Sequence, residues 1–98
     1  LGLPRDSDAA AVTAFIDKAA KDEHHRRLIS DYLNYWEEIA TGVRFGVLDA
    51  DMLRTLDGPR LASILVNYRA HIDRIRSNGT PSTFMVEFEN LVKDWTRD

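Results

Sequence analysis

The sequence predicts an all-α chain, a compact bundle of about five helices with essentially no sheet, on three observations. Apolar residues recur at steps of three and four, the period of a helix with one buried face. Gly and Pro punctuate the chain at Pro4, Gly46, Gly58-Pro59 and Gly79-Thr80-Pro81, and the stretches between them are of helix length. No run of β-branched residues alternates with polar ones as a half-buried strand would. With 98 residues and 44% hydrophobic content, the chain is expected to form a single domain around one core.

Residues 1–6 read as a flexible lead, and Ser7 reads as the cap of a first helix over roughly residues 7–20. Six alanines give that helix its propensity, and Val12, Phe15 and Ile16 give it a narrow apolar stripe. The polar run Lys21 to Arg27 reads either as a break or as the exposed middle of a longer helix. A second helix, over roughly 22–45, carries Leu28, Tyr32, Trp36, Ile39, Ala40 and Val43 on one face and stops at Gly46, which makes it the expected principal core helix. Asp49 is placed to cap a short third helix over 50–57 containing Met52, Leu53 and Leu56, ended by Gly58. Pro59 suits the first turn of a fourth helix over 59–77, whose stripe is Leu61, Ile64, Leu65, Tyr68, Ile72 and Ile75. Thr80 and Pro81 open a fifth over 81–96, with Phe84, Phe88, Leu91 and Trp95 at steps of four, three and four.

Composition narrows the functional classes. The absence of cysteine excludes a disulfide framework, a thiolate zinc site and a cysteine nucleophile, and makes a reducing cytoplasm the default compartment. No apolar run approaches the ~20 residues of a membrane span, so none is expected within this chain; a sequence opening at Leu1 rather than Met leaves room for an anchor upstream. A net charge of -3 and a sequence pI near 5.5 argue against a nucleic-acid partner. Arg60, Arg69, Arg74 and Arg76 nevertheless gather in one segment, either as a solvated helix face or as a local anion-binding surface.

The chemistry-bearing residues do not converge. Glu37 and Glu38 are adjacent and diverge by about 100° on a helix, which rules out a facing carboxylate pair. His24 and His25 diverge likewise and lack a partner at the i+4 spacing of a zinc helix, while His71 reads as exposed. Ser30, Ser63, Ser77 and Ser82 have no elbow glycines, and Gly42 with Gly46 reads as close packing plus a C-cap. No catalytic residue, cofactor or metal is therefore expected. Tyr32, Tyr35, Trp36 and Phe45 place four of the nine aromatics on the second helix, too many for a core this small; Tyr35 is the expected outlier, and an aromatic strip suits a helix-to-helix interface.

The stretch Leu33-Asn34-Tyr35-Trp36-Glu37-Glu38-Ile39-Ala40-Thr41-Gly42-Val43-Arg44-Phe45-Gly46-Val47-Leu48-Asp49 resembles a bacterial and phage-borne family of domains of unknown function, number 4760. Tyr68, Ile72, Arg76, Phe88, Glu89, Leu91 and Trp95 also fall where that family places similar residues, so the likeness covers roughly residues 28–95. The resemblance implies a cytoplasmic helical domain, often behind an N-terminal membrane anchor, and brings no catalytic set with it. Its polar residues here are Asn34, Glu37 and Arg44. Either Glu37 pairs with Arg69 or Arg76 and holds the bundle in register, or the three line a ligand or partner site. The function expected is a non-catalytic interaction or scaffold domain that takes a protein partner or self-associates through Tyr32, Tyr35, Trp36 and Phe45. The alternative is a regulatory or phage–host conflict effector that binds nucleic acid or an anionic ligand through Arg69, Arg74 and Arg76.

Overall fold

A computed structural model describes residues 2–78 and 83–96. Among the described residues it contains five helices and no strand: α1 (Ala9–Ala19), α2 (Glu23–Arg44), α3 (Ala50–Asn67), α4 (Arg69–Ser77) and α5 (Val86–Thr96). The longest, α2, packs on α1 and on α5, while α3 closes the bundle against α5, α4 and α1. No described helix is long and apolar enough to cross a membrane.

Each helix boundary has a local cause. Asp8, not Ser7, caps α1 by accepting the Ala11 N–H at 3.0 Å. Asp22 accepts the His24 N–H at 3.0 Å and also takes Nδ1 of His25, so the polar run after Lys21 begins a separate helix. At its other end α2 stops in a Schellman turn: the Val47 N–H reaches Gly42 O at 2.8 Å and the Gly46 N–H reaches Val43 O at 3.1 Å. Gly46 sits at φ +76°, a conformation in which a Cβ is strained. Asp49 then accepts the Asp51 and Met52 N–H groups and starts α3, as its sequence position predicts.

Two expected boundaries move. Gly58-Pro59 does not separate two helices, because α3 runs through it to Asn67. Two physical reasons account for the miss. Gly58 has no Cβ to clash with the proline ring, so it can keep helical geometry before Pro59; and Leu53 and Leu61, eight residues apart, share a face that stays buried or half-buried on both sides of the pair. The break comes instead at Tyr68 (φ -97°, ψ 7°), one residue between α3 and α4. The expected helix start at Thr80 and Pro81 lies outside the described residues.

The core consists of Val12, Ile16 and Ala19 of α1; Ile29, Leu33, Trp36 and Ala40 of α2; Leu61, Ile64 and Leu65 of α3; Tyr68; Ile72 of α4; and Met85, Phe88 and Val92 at α5. On α2 the buried residues step by four, three and four: Trp36 and Ala40 are inside as expected, but in the first half the line moves by one position, with Ile29 and Leu33 inside and Leu28 and Tyr32 at its margin. The lead is also not loose. Asp6 accepts hydrogen bonds from Tyr32 Oη (2.8 Å) and Arg60 Nε (2.9 Å), and its carbonyl accepts from Asn67 Nδ2 (2.6 Å). This short segment thereby fastens α2 to α3.

Because Pro59 is a helix-interior residue, its ring denies the Thr55 carbonyl an i→i−4 partner. Pro59→Ala should therefore stabilise the domain, by about 1 kcal/mol or more in urea denaturation. A proline that opened a helix would give no gain.

Candidate functional site

Of the three polar residues in the resemblance, Glu37 has the most defined role. Its carboxylate accepts the backbone N–H groups of Glu87 (3.1 Å) and Phe88 (2.7 Å). These are among the first-turn donors of α5 that no intrahelical carbonyl can satisfy. The residue ahead of the helix, Met85, has no acceptor side chain and is fully buried at φ +64°, so the cap comes from another helix instead. Arg44, two turns along α2, pairs with Glu87 in the same turn of α5. Asn34, one turn before Glu37 on α2, is exposed.

The expected pairing of Glu37 with Arg69 or Arg76 does not occur. Both arginines converge on Glu89, Arg69 at 2.6 Å and Arg76 at 3.2 Å, and Arg76 also donates to the Phe84 carbonyl at 2.9 Å. Burial opposes ionisation of Glu89, and the two guanidiniums overcome it and hold its carboxyl below the ordinary range. Arg74 donates to Nδ1 of His71 at 3.1 Å. Arg69, Arg74 and Arg76 are thus engaged inside the bundle, where they link α4 to α5 and to His71. Glu89, which receives two of them, is the residue that sequence spacing alone could not single out.

His71 is buried, contrary to its expected exposure, because α4 turns that face inward after the break at Tyr68. Arginine only donates, so Nδ1 accepts and the ring proton sits on Nε2, which has no partner. Burial first, then the charges of Arg74 and Arg26, push its pKa down to about 4. Among the described residues no three His, Asp or Glu side chains gather as a metal site would require.

The aromatic strip divides between two roles. Trp36 is 5% exposed and Tyr32 is half-buried, with the Arg60 guanidinium 5.5 Å above the Trp36 ring, so both belong to the junction with Asp6. Tyr35 (54% exposed) and Phe45 (68%) face outward. Other large apolar side chains join them around the corner where α2 turns into α3: Val47, Leu48, Met52 (62%) and Leu56 (72%). Ile39, Leu48, Asp49, Met52, Leu53 and Leu56 line an open groove of about 240 Å³ there. Leu48 lies over Gly42, where an added Cβ would come within 2.9 Å of Leu48 Cδ1, so the glycine allows this groove residue to pack onto α2. Of the three apolar residues the sequence places on a short third helix, Leu53 is half-buried, while Met52 and Leu56 are surface.

The molecule is therefore an all-α bundle with a carboxylate-capped α2–α5 junction and an apolar corner open to solvent. The chain belongs to the family described as Domain of unknown function (DUF4760), which matches residues 4–95. The match reaches further toward the N-terminus than the sequence resemblance over residues 28–95, and takes in Asp6 and α1. No curated protein and no solved structure matches the chain.

Two measurements check this arrangement. Removal of the Glu37 carboxylate leaves two helix-start donors unmet, so Glu37→Ala should cost about 2 to 3 kcal/mol in chemical denaturation, with Glu37→Gln losing less because one acceptor remains. The second is pH dependence. The pKa of His71 is about 4 folded against 6.5 unfolded, so the unfolded chain binds the extra proton between those values. Stability is then full near pH 7 and falls as pH drops from about 6.5 to about 4, by on the order of 3 kcal/mol at most. The same titration on His71→Leu should show that decline reduced.

Proposed function

We propose that this domain is a non-catalytic docking module, acting in the cytoplasm, whose α2–α3 corner accepts a helix from a protein partner. The observation that carries the reading is that Leu48, Met52 and Leu56, all exposed, line one groove, with exposed Phe45 and Val47 in the turn that leads into it. Scattered apolar residues are ordinary on a protein surface, whereas a contiguous patch marks an interaction site. A shallow channel between two helices, lined by Leu, Ile and Met side chains, suits the apolar face of an amphipathic helix. Tyr35, exposed and one helical turn before Ile39, extends the apolar surface along α2.

The reading is tested with a fluorescent amphipathic helical peptide, together with light scattering for self-association. Wild-type protein should bind the peptide, and Met52→Glu with Leu56→Glu should weaken binding tenfold or more, about 1.4 kcal/mol or greater. Both positions are solvent-facing, so circular dichroism of the variant should match wild type. Equal binding by wild type and variant, or a wild type that is monomeric at every concentration and binds no helix, overturns the proposal.

A further inference from the structure

The corner groove has a distinctive charge distribution. On α2, Asp31 and Glu38 flank Tyr35 and Ile39 at helical spacing; both carboxylates are exposed, and neither has an ion-pair partner among the described residues. Asp49 lines the groove itself, and its carboxylate accepts only backbone N–H groups, which leave its charge unneutralised. The neighbouring cations are directed elsewhere. Arg44 lies over the Phe45 ring at 5.1 Å but is neutralised by Glu87, Arg54 donates to the Trp95 carbonyl at 2.8 Å, and Arg60 is held by Asp6. The groove lining therefore carries one charged side chain, the Asp49 carboxylate, and no cationic one, with Glu38 next to Ile39 on α2.

We propose that the occupant of this groove is a basic amphipathic helix, one whose apolar face is flanked by lysine or arginine. The inference rests on the docking reading and adds the chemical class of the partner. Apolar contact with Leu48, Met52, Leu53 and Leu56 supplies the affinity, and the carboxylates supply selection and faster encounter, as charges at an interface rim do. A second copy of this chain is a poor fit, because a two-fold interface sets the same patch on both sides and so places one set of carboxylates against another with no cation between them. An acidic helix meets the same repulsion.

The test compares two labelled peptides with the same leucine face, one with lysine and one with glutamate at the flanking positions, by fluorescence anisotropy. The lysine peptide should bind at least tenfold tighter at about 50 mM salt, with the gap shrinking to about twofold near 500 mM as screening shortens to a few ångströms. Because the whole chain carries a net charge of -3, general attraction is separated by the double variant Asp31→Asn, Glu38→Gln, which should lose most of the preference while still binding the leucine face. Equal binding of the two peptides, or a preference untouched by the double variant, overturns the charge inference and leaves the docking reading standing if Met52→Glu with Leu56→Glu still weakens both. A concentration-dependent dimer disrupted by that apolar pair assigns the groove to a second copy and overturns the inference. If neither peptide binds and the chain is monomeric, the docking reading fails and this inference with it.

Discussion

The position of α5 depends on a carboxylate it does not own. Most helices begin on a Ser, Thr, Asp or Asn that folds back onto the first free N–H groups, and α1, α2 and α3 here all do so with Asp8, Asp22 and Asp49. α5 has Met85 at that place, in a left-handed conformation and buried. Its first turn is satisfied from α2, by Glu37, with the positive end of the helix dipole facing the carboxylate. An ordinary cap fixes where a helix starts in sequence; this one also fixes where the helix lies against its neighbour, because the acceptor works only if the two axes are in register.

The second acidic residue of the junction, Glu89, follows from the first. Once Glu37 has set the start of α5, Glu89 falls in its first turn, turned toward α4, where Arg69 reaches it from the first residue of that short helix and Arg76 from two turns further on. Arg76 also holds the Phe84 carbonyl, so the approach to α5 is tied to the same guanidinium. A nine-residue helix such as α4 has little stability alone, and its attachment combines Ile72 in the core with this pair of ions. The arginines that look from sequence like a free basic face are mainly structural, because a half-buried glutamate needs compensating charge.

Helical class and helix number were legible because periodicity and caps act locally. Asp49 and Gly46 could be read directly, the first from its oxygen-bearing side chain before an apolar run and the second from its freedom to take positive φ. What was not legible depended on relations between distant residues. Pro59 inside α3 and the break at Tyr68 are decided by a stripe that continues from Leu53 to Leu61, against the local preference of Gly-Pro. The one-position shift on α2 that buries Ile29 and Leu33 depends on where α1 and α5 stand. The roles of Asp6, Glu37 and Glu89 require knowing which helices meet. Of the aromatic residues, Tyr35 and Phe45 are outside and Trp36 inside, a division that composition suggests and only packing assigns.

The apolar corner is intelligible as a surplus that the fold does not need for its own core. α2 and α3 are already joined at their other contacts through Asp6, Tyr32, Arg60 and Asn67, and the core closes around Trp36, Leu61, Tyr68 and Phe88 without help from Phe45, Val47 or Met52. Exposing such side chains forgoes the roughly 1.5 to 3 kcal/mol each would contribute if fully buried, and a small domain has few apolar residues to leave outside. Six of the seven large apolar residues left exposed lie on the latter half of α2, the turn after it or the first half of α3. Their concentration beside unpaired carboxylates is what a surface built for association would show, and a surface built only for solubility would carry those residues singly or replace them with polar ones.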